Sequence, residues 1–302
     1  MRLATLIVNP AAGQARLLEA QMPAIRALLA DHGYLVSVFK TTAEEGSAQY
    51  LAAASAGPAA LILACGGDGT VHGVVQGLAR TETVLGIVPL GTANALARNL
   101  DIPLDPLAAI GRLMTYTARR IPLGEVSFSR QKRLFAVMAG CGPDGLLVDE
   151  LSREGGTRLK TRFGRLAYYG HAARLFLTRT WPQFQVRYRE TTSEVWATET
   201  AVAMMASRVP DLGGVFSGIT RNASTTDSQL HLQILRGPAW ISMPAWMLCG
   251  RLGLGNPWLR TVDAGQVECE GDGIYAQADA EPLGQLPISL RIVKDALWLL
   301  MP

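Results

Sequence analysis

Three times in its first part the chain repeats one unit: an apolar, β-rich run, a Gly-containing break, and a helical pattern. The runs are Leu3 to Val8 before Asn9-Pro10-Ala11-Ala12-Gly13, Ala59 to Ala64 before Gly66-Gly67-Asp68-Gly69-Thr70, and Val84 to Val88 before Pro89-Leu90-Gly91-Thr92. Nearly continuous apolar strands alternating with helices predict a parallel sheet covered on both faces. Such a sheet places its ligand beyond the C-terminal ends of the strands, so the three breaks are expected to converge on one crevice.

After about Arg120 the texture changes to period-two runs: Leu123 to Phe128, Leu134 to Ala139, Phe184 to Tyr188, Thr198 to Ala206, Leu230 to Leu235 and Ile288 to Val293. These predict a mostly antiparallel, sandwich-like second domain, with helical segments over Phe163 to Leu177 and Pro244 to Leu252. A length of 302 residues fits two domains, 1–121 and 122–302, with the last residues able to pack back on the first.

A formal net charge of +3 and 18% charged residues leave no global basic field, so nucleic acid is not an expected partner. The basic residues that do cluster, Arg153, Arg158, Lys160, Arg162, Arg165, Arg174 and Arg179, are either a solvated helix face or a surface for anionic lipid head groups. Four scattered cysteines form no CxxC pair, which suits a reducing cytosol and excludes a zinc ribbon. Apolar stretches are broken by Gly, Pro or Arg before reaching the roughly 20 residues of a spanning helix, and the N-terminal run is short for a signal peptide. The expected location is cytoplasmic, at most peripheral to a membrane.

Glycines in Gly66-Gly67-Asp68-Gly69-Thr70 let the backbone approach a polyphosphate, and the following helix offers free amide donors at its N-terminus. Asp68 in their midst would repel a bare phosphate, which points to a metal bridging phosphate oxygens; the alternative is a tight turn with an Asp cap. Further along, Asp279 and Glu281 stand two apart, so on a strand they share one face. Such a pair suits a base for a substrate hydroxyl and a carboxylate that orients it or holds metal. The four histidines show no HExxH spacing and no Gly-x-Ser-x-Gly elbow is present, so zinc-hydrolase and serine-hydrolase readings fall away; His72, just after the phosphate loop, is the one histidine to watch.

In the order Asn9-Pro10-Ala11-Ala12-Gly13, Gly66 to Thr70, Pro89-Leu90-Gly91-Thr92-Ala93-Asn94, Gly140-Cys141-Gly142-Pro143-Asp144 and Asp279-Ala280-Glu281, the chain resembles the diacylglycerol kinase catalytic family. That family includes bacterial lipid kinases, sphingosine kinases and ceramide kinases. The resemblance implies ATP as co-substrate with Mg2+, and a lipid alcohol as acceptor. It places nucleotide contacts at Asn9, Thr42, Gly66, Gly67, Asp68, Gly69, Thr70 and Thr92, and catalytic roles at Glu281 as base, Asp279 and Asp68. It also implies a structural magnesium around Asp227, with backbone oxygens of Ser224 and Gln229. An anionic membrane surface is the implied setting, and a homodimer is left open. The chain departs from the family's usual residues at Ala12, Gly73, Ala95, Ser228 and Ala280. Two other readings stand beside this one: an NAD kinase-like phosphotransferase, and a nucleotide- or lipid-binding module without turnover.

Overall fold

The structure is a computed structural model that describes residues 2–57, 60–153, 174, 181–212, 220 and 222–302. The expected helix at Phe163 to Leu177, and all of the basic cluster but Arg153 and Arg174, lie outside the described residues. Arg153 itself is tied to Asp149 on its own helix at 3.0 Å.

Four parallel strands form the N-terminal sheet in the order β4, β3, β1, β2: β1 (Arg2–Val8), β2 (Tyr34–Lys40), β3 (Leu61–Gly66) and β4 (Val84–Pro89). Every residue of β3 is buried, as a strand covered on both faces requires. The edge strand β2, interrupted by Ser37 and ending on Lys40, lacks an unbroken buried pattern and is not recognisable as part of the repeat. Helices α1 (Ala15–Asp31), α2 (Ser47–Ser55), α3 (Asp68–Leu78), α4 (Ala95–Asn99) and α5 (Pro106–Leu113) join the strands, and pack as the pairs α1 with α5 and α2 with α3. Local chemistry sets their starts: Asp105 accepts the Ala108 amide at 2.9 Å, with Pro106 in the first turn, to begin α5.

The second half is mostly antiparallel. Strand β5 (Thr117–Phe128) contains the expected boundary at 121/122, because it pairs along its whole length with the last strand, β15 (Ile288–Met301). The expected run Leu134 to Ala139 divides into β6 (Gln131–Phe135) and β7 (Met138–Cys141), and the run Thr198 to Ala206 into β9 (Trp196–Ala201) and β10 (Ala203–Ser207). Between those pairs lie α6 (Pro143–Arg153) and β8 (Phe184–Glu190), and after them β11 (Leu230–Leu235), α7 (Ala239–Leu252), β12 (Leu259–Glu270), β13 (Tyr275–Ala278) and β14 (Glu281–Gln285). Helix α7 starts a turn before the expected Pro244, which its first turns accommodate.

Strand β15 links the halves. It pairs antiparallel with β12 through Ile288 to Arg291 and parallel with β4 through Trp298 and Leu299. One sheet path therefore runs β14, β13, β7, β10, β11, β12, β15, β4, β3, β1, β2. Separate apolar cores fill the two halves, one around Leu6, Ile62, Leu85 and Leu299, the other around Phe135, Tyr188, Leu232 and Val267.

The α2/α3 contact is close enough to dictate residue size. A Cβ on Gly77 would fall against the Gln49 carbonyl, 2.8 Å from the Ala52 Cβ and 3.0 Å from the Ala53 nitrogen. One turn earlier, a Cβ on Gly73 would meet the Ala48 Cβ at 2.9 Å. Alanine has a helix-propensity advantage of about 1 kcal/mol over glycine, but overpacking against backbone costs about 1–3 kcal/mol. Gly77→Ala is therefore expected to destabilise, by about 1 kcal/mol net, read as a lower urea midpoint at constant slope. An unchanged midpoint would mean that α2 yields.

Candidate active site

The three glycine-containing breaks meet at the C-terminal edge of the parallel sheet. The Asn9 amide reaches the Cys65 carbonyl at 2.9 Å, the Leu90 amide the Gly66 carbonyl at 2.8 Å, and the Gln14 amide the Leu90 carbonyl at 3.1 Å. Asn9 then donates through Nδ2 to the Thr70 hydroxyl at 3.2 Å and accepts the Ala11 amide at 2.9 Å. The Thr70 side chain lies over Gly66, where a Cβ would overlap it. Gly67 and Gly91 come face to face, and a Cβ on Gly91 would lie 2.6 Å from the Gly67 Cα. A side chain at Gly91 would therefore push the two breaks apart, next to the first amides of α3, which have no partner inside the helix and suit an anion. Thr42, exposed after β2, accepts the Glu44 amide at 3.3 Å, and exposed Thr92 follows Gly91. The expected nucleotide residues thus all sit on one edge of the sheet, with Thr42 at its β2 end.

Asp68 is already engaged. Its Oδ2 accepts the Asn94 amide at 2.9 Å and its Oδ1 the Ala95 amide at 2.7 Å, so the carboxylate caps α4 and ties the second break to the third. Asn94, in the left-handed region at φ 48°, closes its own loop by bonding both the amide and the carbonyl of Gly91, at 3.1 and 2.8 Å. The sequence reading gave Asp68 a metal and missed this clamp, although an Asn able to adopt positive φ in Gly-Thr-Ala-Asn was its visible signal.

The pair Asp279 and Glu281 is not on one strand face. Asp279 and Ala280, at φ 48° and 65°, form the tight turn between β13 and β14, and Glu281 is the first residue of β14. Asp279 turns inward, 8% exposed, and accepts the amides of Ala136, Val137 and Met138 at 2.8, 2.9 and 3.0 Å. It also faces Nδ1 of buried His72 at 3.4 Å. These bonds account for the break between β6 and β7: the amides there serve the carboxylate instead of a ladder. Asp279 thus holds the turn.

Glu281 stands apart. Among the described residues it has no hydrogen-bond or ion-pair partner, and its Oε1 lies 3.6 Å from the position of a Cβ on Gly69. The turn before it is supported from below: the Ala280 amide donates to Gln277 at 2.9 Å, and Gln277 donates to Asp144 at 3.1 Å. Gly140 leaves no room for a side chain above the Asp144 carboxylate. Burial pushes that carboxyl up to about 6, against the lowering effect of the Gln277 bond. Gln277 and Asp144 are supports that the sequence motif alone did not single out as such.

The expected magnesium site around Asp227 does not fit the structure. Oδ2 of Asp227 takes the Ser224 amide at 3.1 Å and Nε2 of His231 at 2.7 Å, and the Ser224 carbonyl takes the Asp227 amide at 3.1 Å. The Gln229 carbonyl accepts from the guanidinium of Arg208 at 3.2 Å. Among the described residues no cluster of three His, Cys, Asp or Glu side chains could hold a metal.

The family model described as "Diacylglycerol kinase catalytic domain" matches residues 3–126, the stretch that carries the three breaks. Over those residues the chain is similar to the diacylglycerol kinase catalytic domain. It is 28% identical over 239 residues to a "Diacylglycerol kinase" of Bacillus subtilis (strain 168), a match that spans 78% of this chain and 74% of that one. A protein named "Probable lipid kinase YegS-like" from Pseudomonas aeruginosa is 42% identical over 133 residues, 43% of this chain and 41% of that one. A crystal structure of a diacylglycerol kinase from Bacillus anthracis str. Sterne superposes with TM-score 0.69 at 19% identity, over all of this chain and 97% of the other, and so shares its fold. Yeast NADH kinase superposes more distantly, at TM-score 0.51 and 11% identity, over 84% of its chain.

Ala280 stands where the diacylglycerol kinase family commonly has glycine, and the structure keeps the backbone such a glycine would adopt. Left-handed alanine costs about 1 kcal/mol, so Ala280→Gly is expected to raise stability slightly, by about 0.5 kcal/mol after the unfolded-state entropy of glycine is counted. Asp279→Asn behaves oppositely. An amide NH2 facing a row of N–H donors leaves at least one unsatisfied, and the loss is expected at about 1–3 kcal/mol. Chemical denaturation of the two variants checks both signs, and an Asp279→Asn protein as stable as the parent would remove the clamp.

Proposed function

We propose that this chain is an ATP-dependent lipid kinase that transfers the γ-phosphoryl group to a hydroxyl of a diacylglycerol- or sphingoid-like lipid. The observation that carries the reading is the position of Glu281, an unengaged carboxylate beside Gly69 in the first turn of α3. The Gly66–Thr70 break and the Gly91 break receive the phosphates, and first-turn amides of α3 bear their charge. Glu281 takes the proton of the acceptor hydroxyl as its oxygen forms a bond to the γ-phosphorus; the bond from that phosphorus to the bridging oxygen breaks, and ADP leaves. A magnesium ion bound with the nucleotide would supply neutralisation of phosphate charge. Asp68 acts in this scheme by holding the Asn94–Ala95 turn, and each oxygen, having accepted one amide, can accept a further bond.

Support for the kinase over a silent binding module comes from that same residue. An acid left without a partner beside a phosphate loop has no structural task, unlike Asp68 and Asp279. Support for a lipid over a nucleotide acceptor comes from the names of the relatives matched across most of the chain, among them a Mycobacterium tuberculosis "Diacylglycerol kinase" 28% identical over 99% of this chain and 94% of its own. Glu281→Gln keeps shape and removes the basic site. Turnover with ATP and a diacylglycerol is expected to fall by about 100-fold or more while ATP affinity and melting temperature stay near the parent's. Parent-like turnover in that variant would end the assignment of the base.

The acceptor is presented, in this reading, by a membrane surface. No helix among the described residues is long and apolar enough to cross one. Helix α7 instead turns an apolar stripe outward: Trp240, Pro244, Leu248 and Leu252 recur every fourth residue and are exposed, Trp240 by 72% and the two leucines by 60% each. Its other face, with Ala239, Met243 and Trp246, is buried over β10 and β11. A helix apolar on both faces needs a second apolar environment, and Trp with Leu on an outward face suits the head-group boundary. Leu248→Asp with Leu252→Asp is expected to release the protein from diacylglycerol-containing anionic vesicles in sedimentation, with activity on a short-chain, dispersed lipid retained. Unchanged sedimentation would return the stripe to an ordinary surface.

A further inference from the structure

Arg208 is the largest fully buried side chain among the described residues, at 0% exposure. It follows β10, and its backbone amide donates to the Val137 carbonyl at 2.9 Å, inside the turn that Asp279 clamps. Its guanidinium reaches four backbone carbonyls. Nη1 donates to Asp227 at 2.9 Å and Gln229 at 3.2 Å; Nη2 donates to Thr225 at 2.7 Å and to Pro122, in β5, at 3.0 Å. Only Nε is left without a partner. A ring of carbonyl oxygens with a carboxylate nearby is the ligand set a hard divalent cation takes, and a planar guanidinium with two forks can satisfy the same set.

We propose that Arg208 is a built-in cation: its guanidinium does in this chain the structural work that the family resemblance assigns to magnesium at the Ser224–Gln229 turn. Burial lowers the arginine to about 10, against the raising effects of Asp227 and Asp279, so it stays charged at neutral pH. The cation is thus covalently supplied. It pins the 225–229 turn to β5 at Pro122 and, through its own amide, to the turn at Val137. This assignment is independent of the kinase reading, because it concerns a site away from the phosphate loop.

The test uses the full chain without nucleotide, stripped with EDTA and titrated with magnesium or calcium at constant ionic strength while melting temperature is followed. The parent is expected to show no shift beyond about 1 °C, since the Thr225, Asp227 and Gln229 carbonyls already accept from a fixed cation. Arg208→Lys keeps a charge but has three donors for four carbonyls, and is expected to melt lower by about 4 °C or more. Arg208→Ala should melt lower still, and the lysine variant carries the test if the alanine one does not fold. A parent melting temperature that rises several degrees with magnesium, and ceases to do so in Asp227→Asn, overturns the proposal. So does Arg208→Lys with the parent's melting temperature.

Discussion

The turn that presents Glu281 depends on one carboxylate accepting three consecutive amides. Asp279 binds Ala136, Val137 and Met138, and through these bonds the β13–β14 turn, the break between β6 and β7, and His72 of α3 share one buried point. Charge-assisted bonds of this kind are stronger than ladder bonds between neutral groups, and three on one side chain over-determine a left-handed turn that alanine would otherwise avoid. Glu281 inherits its place from that turn. Without it the acid would hang on an edge strand, free to sample orientations away from the phosphate loop.

The same device is used at the opposite wall of the cleft. Asp68 accepts two consecutive amides, those of Asn94 and Ala95, and draws the Gly91 break against Gly67. Two acids that look catalytic in the sequence are therefore engaged as amide clamps, and among the described residues the third, Glu281, has no such partner. The division follows from surroundings rather than residue type. A carboxylate beside a run of unpaired backbone N–H groups is drawn into them, because leaving those donors buried and unsatisfied costs about 1–3 kcal/mol each.

The parallel sheet and the convergence of its breaks were readable because β3 and β4 are apolar throughout and their breaks carry glycine. Strand β2 was not, since it lies at an edge and mixes polar with apolar residues. The broken runs at Ala136 and Val202 escaped a periodicity argument because what interrupts the first is Asp279, about 140 positions away in sequence and adjacent only in space. Treating Asp279 and Glu281 as neighbours on a strand failed for a related reason: positive φ at Asp279 and Ala280 makes a tight turn there, and alanine seldom adopts that conformation. The buried arginine was likewise hidden. In sequence Arg208 is one basic residue between a serine and a valine, and only the folded turn shows what surrounds it.

Strand β15 belongs to both halves at once, and this sets how the molecule can deform. A linker between two lobes bends at little cost, but here the two halves are cantilevered from a common beam, paired at one end with β12 and at the other with β4. Its ladder with β5 shifts register between Val293 and Leu297, where Asp295 adopts φ 48° and the Ala296 carbonyl accepts the Arg80 amide at 2.7 Å. That bulge is where the beam changes register. Displacing one half against the other would therefore have to distort a continuous hydrogen-bonded sheet and not a free linker.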